Sequence, residues 1–334
     1  QVMKYARDSR TSLSSEETAQ LLFEALPWMK NLTGKTVVIK YGGAAMVDER
    51  LRADVMSDIV LLKIMGMKPV IVHGGGKDIN AALKRHEIPV EFRGGQRVTS
   101  NEAMELVREV LVGKVNGQLV SAVNQHGNLA VGVSGSDAGT IVAEQLAPEL
   151  GRVGRIVRIN GGYLNNLVEN DYIPVVATVG VGEDGGFYNI NADVAAGHIA
   201  AALGAHKVIF LTDVDGLYED FSDKSSLISN LTVDETRAML KDGAIDAGMI
   251  PKLESCIAAL AGGVLRAHII NGTMPHSLLL ELLTDAGIGT VIHASRNAYE
   301  YDRHPDPSAY DAEACAPSSP APLDAFSARL TENS

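Results

Sequence analysis

Cysteine is nearly absent from this 334-residue chain: Cys256 and Cys315 form neither a CxxC pair nor a zinc-ligand spacing. A disulfide framework and a structural zinc are therefore not expected, and a reducing, cytoplasmic setting is the expectation. Positive charge is in deficit, with 29 Lys and Arg against 41 Asp and Glu and a net charge of −12. That balance argues against a nucleic-acid partner, and any anionic ligand must be met by local charge. Long apolar runs are missing too. Stretches such as 59–62 and 255–261 fall far short of the roughly 20 residues a membrane helix needs, and the first residues hold no apolar signal core, so no membrane is expected as a partner. There is no HExxH, no GxSxG and no histidine cluster, which leaves zinc hydrolysis, a serine elbow and a protein-held metal without support.

What is present suits a globular chain: 46% hydrophobic and 21% charged residues with only 5% aromatics, on a length that suggests two lobes at about 150 residues each. A capping-box spacing at Ser14–Glu17 precedes apolar residues at helical intervals until Pro27, which predicts an amphipathic helix ending there. It covers either its own body or another subunit. Short β-branched runs follow at 36–40, 69–73, 173–178, 207–212 and 266–271, alternating with helical patterns at 48–65, 76–86, 101–117, 192–203, 250–261 and 276–283. Strands separated by helices predict an α/β fold: a three-layer αβα sandwich with a mainly parallel central sheet and ligands beyond the carboxyl ends of its strands. Glycine-containing, alternating segments at 91–99 and 130–160 predict hairpin flaps beside the first lobe. Residues 298–334 hold five of the 12 prolines and no Ile, Val, Leu or Met before Leu323, a composition that predicts a disordered tail.

Two motifs are decoys. Gly34-Lys35-Thr36 imitates the end of a Walker A loop but enters a strand, with Met29 where the first glycine belongs. Gly180–Gly185 spells GxGxxG, yet Glu183 and Asp184 would face the pyrophosphate.

Three strand ends carry a chemical pattern. The first runs into Lys40-Tyr41-Gly42-Gly43 and the second into His73-Gly74-Gly75-Gly76 ahead of a helix. Paired glycines let the backbone approach a ligand, and their N–H groups beside a helix start form a nest for anionic oxygens. Lys40 closes a buried strand, where an unpaired ammonium costs several kcal/mol, so it needs an anion. Lys252, one residue after Pro251, stands near a helix start. Asn189, Asn191 and Asp193 alternate just before a helix, and Asp193 is placed to cap or open it.

KYGG at 40–43, VHGGG at 72–76, FRGGQRVT at 92–99, NINAD at 189–193, LTDVDG at 211–216 and GMIPK at 248–252 occur in this order, and together they resemble the amino-acid kinase family. The resemblance spans 36 to about 293 and points to the branch whose acceptor is N-acetyl-L-glutamate. It implies ATP-dependent phosphorylation of a side-chain carboxylate on the arginine route, with Mg²⁺ held mainly by the phosphates. It assigns Lys40 and Lys252 to the transferring phosphoryl group, Asp193 to positioning both, and Gly42, Gly43, Gly74 and Gly75 to backbone donors. Arg97, Asn189 and Asn191 match acceptor-binding positions, and Thr212, Asp213, Gly248 and Met249 match the nucleotide site. The implied organisation is an N-terminal extension at 1–35, an acceptor lobe at 36–182, an ATP lobe at 183–297 and the tail.

Relatives with an N-terminal helix resemble an arginine-inhibited, hexameric branch. Glu281, Gly287 and His268 match its arginine pocket, so L-arginine as inhibitor and a homo-oligomer, dimer or hexamer, are implied, with a signalling-protein partner left open. Arg155 and Ala247 stand where relatives often carry an acid and a glycine. Glutamate, aspartate, carbamate or UMP as acceptor remain alternatives within the family, though FRGGQRVT and GMIPK favour acetylglutamate. A non-catalytic arginine-sensing subunit is the alternative of another class, against which both lysines and Asp193 stand.

Overall fold

The computed structural model describes residues 14–294 apart from Val47, Phe221, Ala244, Asp246, Ala247, Asp285 and Ala286, so the expected tail and the Ala247 departure lie outside the described residues. Helix α1 (Ser15–Leu32) starts at a capping box in which the Glu17 N–H donates to the Ser14 hydroxyl and the Ser14 N–H to the Glu17 carboxylate. The helix does not stop at Pro27 but continues to Leu32. A proline costs a helix about 3 kcal/mol; burial of Leu32 to 1% exposure, with Trp28 and Met29 half-buried, offsets that loss. Leu21, Leu22, Phe23 and Leu26 stay in solvent, Phe23 at 70% exposure.

The chain then runs through β1 (Thr36–Tyr41), α2 (Glu49–Ile64), β2 (Lys68–His73), α3 (Gly76–Arg85), β3 (Phe92–Arg93) and β4 (Gln96–Arg97). Helix α4 (Asn101–Arg108), capped by Ser100, passes through a π-helical stretch at Glu109–Val115 into α5 (Asn116–Asn124). Next come β5 (Ala130–Ser134), β6 (Ile141–Gln145), β7 (Gly154–Ile159), α6 (Gly161–Glu169), β8 (Ile173–Ala177), β9 (Val179–Val181), β10 (Phe187–Asn189) and α7 (Ala192–Ala202). The remainder is β11 (Lys207–Thr212), β12 (Leu217–Tyr218), β13 (Leu227–Ile228), β14 (Asn230–Thr232), α8 (Val233–Asp242), α9 (Ile250–Ala261), β15 (Arg266–Asn271), α10 (Ser277–Leu283) and β16 (Thr290–His293).

Eight strands form one sheet in the order β14-β16-β15-β11-β1-β2-β8-β5, parallel from β15 to β5 with β16 antiparallel to β15. The segment expected as flaps divides. β5 joins the main sheet beside β8, because its Ala130 and Val133 bury there, whereas β6, β7, β9 and β10 make a second, four-stranded sheet. Across that sheet Arg155 pairs with Glu144, so the basic residue there anchors β7 to β6. The GxGxxG look-alike is the turn between β9 and β10, closed by Gly182 N–H donating to the Gly186 carbonyl. Among the described residues no helix is long and apolar enough to cross a membrane.

Alternation decides which face each β1 residue serves. Val37, Ile39 and Tyr41 enter one aliphatic cluster and Val38 the other, so Lys40 shares the Val38 face, on which α7 packs. Helix α9 lies close against α7 at Gly197, where a Cβ would come within 2.7 Å of the Ser255 carbonyl oxygen. Alanine normally gains about 1 kcal/mol over glycine inside a helix. Here Gly197→Ala is expected to destabilise by about 1–3 kcal/mol through overpacking, read as a fall in Tm; an unchanged or raised Tm would refute the close approach.

Candidate active site

The central strands β1, β2 and β11 end side by side at Tyr41, His73 and Thr212, and two adjoining cavities open beyond them. The first, about 230 Å³, is walled by Lys40, the two glycine loops, Arg97 and residues 189–193. The second, about 720 Å³, is walled by Thr212, Asp213, Tyr218, Gly248, Met249 and Lys252.

Asp193 stands between them, in the first turn of α7. Its Oδ1 lies 2.9 Å from Lys40 Nζ, at the end of β1, and its Oδ2 accepts a hydrogen bond of 3.2 Å from Lys252 Nζ, in the first turn of α9. Burial alone would raise the Asp193 pKa, but the two ammonium groups outweigh it and hold the carboxyl below its ordinary value. Asn191, expected to contact substrate, also caps α7, its Oδ1 accepting the Asp193 and Val194 N–H groups at 2.8 and 3.2 Å.

The glycines serve close approach. A Cβ on Gly42 would sit 3.1 Å from Lys40 Nζ, and one on Gly75 would sit 2.8 Å from Leu111 Cδ2 in the π-helical stretch. The N–H groups of Gly75 and Gly76 meet no acceptor among the described residues, and both glycines wall the first cavity. Arg97 donates to Asn80 Oδ1 and to the Gly76 carbonyl at 3.3 Å, with its guanidinium 4.8 Å above the Phe92 ring. Burial lowers its pKa, and the planar fork suits a carboxylate in the cavity. Asn189 donates to Thr99 Oγ1 at 3.2 Å. In the second cavity Thr212 donates to Asp213 Oδ1 at 3.2 Å, and Tyr218 OH donates to Asp215 Oδ2 at 2.6 Å.

Thus Lys40, Gly42, Gly43, Gly74, Gly75, Arg97, Asn189, Asn191 and Asp193 share one cavity, and Thr212, Asp213, Gly248, Met249 and Lys252 share the next. His268, Glu281 and Gly287 wall neither. The buried His268 donates from Nδ1 to Glu281 at 2.7 Å, and the Ile288 N–H, next to Gly287, donates to the other carboxylate oxygen at 2.8 Å. Burial keeps the imidazole neutral, and its hydrogen bond holds Glu281 ionised against its own burial.

Sequence reasoning missed Asn80, Thr178, Tyr218 and the pair His73–Asn116. Asn80 could have been found at helical spacing from Gly76; His73 was hidden in its own motif, read for its glycines alone. The His73 ring is fully buried, with Nδ1 3.0 Å from the Gly74 carbonyl oxygen and Nε2 3.0 Å from Asn116 Nδ2. Burial lowers its pKa to about 4.

Residues 35–271 match the amino acid kinase family. The acetylglutamate kinase of Pelotomaculum thermopropionicum is 51% identical over 288 residues, covering 83% of this chain and 98% of that protein. That of Corynebacterium glutamicum is 49% identical over 287 residues, covering 84% and 90%. Two solved structures share the fold. The N-acetylglutamate synthase of Neisseria gonorrhoeae, complexed with coenzyme A and N-acetyl-glutamate, superposes with a TM-score of 0.74 at 23% identity over 83% of this chain and 63% of its own. The Giardia lamblia carbamate kinase bound to AMP-PNP superposes with a TM-score of 0.58 at 18% identity over 78% of this chain and 99% of its own. The chain belongs to the amino acid kinase family and has the fold of these two structures. Within it, the similarity along nearly the whole length of both relatives is to acetylglutamate kinases, phosphotransferases with a carboxyl acceptor.

The buried His73 makes stability depend on pH. Unfolded, the ring titrates near its ordinary value of about 6.5; folded, it stays neutral down to about 4. Between those values only the unfolded chain takes the proton, so stability falls as pH drops from 6.5 towards 4, by about 3 kcal/mol from this group. Urea unfolding at pH 7.5, 6 and 5 checks this. The wild type should lose stability more steeply than His73→Asn, and parallel curves would contradict it.

Proposed function

We propose that the chain transfers the terminal phosphoryl group of ATP to the side-chain carboxylate of N-acetyl-L-glutamate, giving an acyl phosphate. The observation that carries this reading is the Asp193 carboxylate held between Lys40 and Lys252, one ammonium walling each of two adjoining cavities. The smaller cavity, with Arg97 and the glycine loops, suits a compact carboxylate acceptor, and the larger one suits a nucleotide. In domain terms, residues 36–182 supply most of the acceptor side and residues 183–297 the ATP side, with 189–193 reaching across.

The acceptor carboxylate is ionised at pH 7 and needs no general base; the obstacle is repulsion between two anions. Asp193 is already engaged by two cations and is no base, which agrees with that chemistry. Lys40 from the acceptor side and Lys252 from the nucleotide side offset the charge that spreads over the phosphoryl oxygens in a loose, in-line transfer. The Gly75 and Gly76 N–H groups, at the start of α3, add donors. In this reading Mg²⁺ is borne mainly by the ATP phosphates. When bound, that ion neutralises part of the phosphate charge.

The finer reading is feedback inhibition by L-arginine through Glu281, His268 and Gly287. It is supported by a buried carboxylate kept ionised at 281, the charge a guanidinium requires. The exposed apolar row on α1 supports assembly of copies of this chain through residues 1–35, as dimer or hexamer.

A hydroxamate assay for acyl phosphate, run with acetylglutamate, glutamate and aspartate, should respond to acetylglutamate above the others; a preference for either unacetylated acid sinks the substrate assignment. Lys40→Ala and Lys252→Ala should each lower kcat by roughly 10² or more, the scale of losing one oxyanion donor, and near-normal kcat in both counts against their roles. L-arginine should inhibit the full chain, and a chain starting at Lys35 should form smaller oligomers. Activity indifferent to arginine, together with an unchanged oligomer, overturns the regulatory reading.

A further inference from the structure

We infer that His73 is a positioning residue: its imidazole locks the Gly74–Gly75 peptide so that the Gly75 N–H points at the phosphoryl and acceptor oxygens. The inference rests on the kinase reading above and goes one layer behind the glycine loop.

The hydrogen-bond chain has a single self-consistent solution. Asn116 Nδ2 lies 2.7 Å from the Val175 carbonyl oxygen, which only accepts, so the atom there is the amide nitrogen and not its oxygen. That nitrogen's second proton reaches His73 Nε2 at 3.0 Å, so Nε2 must carry the lone pair. The proton of the neutral ring is then on Nδ1, which donates to the Gly74 carbonyl at 3.0 Å. The ring has no other consistent state, since burial disfavours the imidazolium.

Its effect follows from peptide geometry. The Gly74 carbonyl and the Gly75 N–H belong to one planar trans unit and point in opposite directions. Fixing the carbonyl towards His73 therefore fixes the N–H on the other side, where no acceptor among the described residues takes it and where the first cavity opens. A peptide between two glycines lacks the Cβ contacts that bias other residues, so it turns over more readily than most. Two further contacts hold the frame: Thr178 Oγ1 donates to the His73 carbonyl at 3.3 Å, and Leu111, which itself walls the cavity, packs with Val115 against Gly75. His73 itself does not wall the cavity, so it acts through the glycine.

Two substitutions separate the ring's two jobs. In His73→Asn the amide nitrogen takes the place of Nδ1 and keeps the donor to Gly74. In His73→Gln the side chain keeps an acceptor for Asn116 and loses that donor. If the inference holds, Gln lowers kcat by roughly 10² with both KM values little changed, and Asn recovers kcat to within a small factor of wild type. Equal losses in the two variants, or a loss confined to KM, overturn it. A readout that needs no turnover accompanies this: ring ¹⁵N NMR of the wild-type chain, with His73 assigned by its disappearance in His73→Asn. A protonated Nδ1 and bare Nε2 from pH 6 to 8.5 are expected, and a protonated Nε2 overturns the lock whatever carboxylate the enzyme prefers. Failure of the functional reading shows separately, as a wild type that does not phosphorylate acetylglutamate.

Discussion

One carboxylate shared by two ammonium groups organises the cleft beyond the carboxyl ends of the central strands. Asp193 is buried, and a buried charge costs several kcal/mol unless its partners are well placed. Its partners come from far apart in sequence, Lys40 from the centre of the sheet and Lys252 from the start of α9. The elements carrying the three must therefore meet within ångströms. The glycine at 197, the cap at Asn191 and the close contact of α7 with α9 read as conditions for that one contact. The carboxylate also keeps two like charges at one end of the sheet without leaving either alone in a low-dielectric site.

Around that centre the backbone does much of the electrostatic work. A chain with net charge −12 offers polyanions little general attraction. What it offers is local: Lys40 and Arg97 in the first cavity, Lys252 in the second, and N–H groups at the start of α3. All of these sit at the carboxyl ends of adjacent parallel strands, where open α/β sheets present loops rather than edges.

The parts of this arrangement readable in the sequence were those with a local signature. The five β-branched runs became the five consecutive strands β8, β2, β1, β11 and β15; the glycine pairs and Lys40 fell at strand ends and Lys252 at a helix start, as expected. Three things resisted. β5, β14 and β16 are short, and their place depends on partners distant in sequence. Pro27 signals a stop that tertiary burial of Leu32 overrides. Asn116 looks like any polar residue on a helix, because its role is defined by His73, 43 residues earlier in the chain and one strand away.

The π-helical stretch between α4 and α5 is more than an irregularity. Each π turn takes up one surplus residue, and in α-helical terms one residue is an azimuth of about 100°. The helix thus leaves that stretch out of phase with the way it entered. Across that change of phase a single continuous rod presents Leu111 and Val115 to the glycine loop, Asn116 to the buried imidazole, and Leu119 and Val123 to the aliphatic interior.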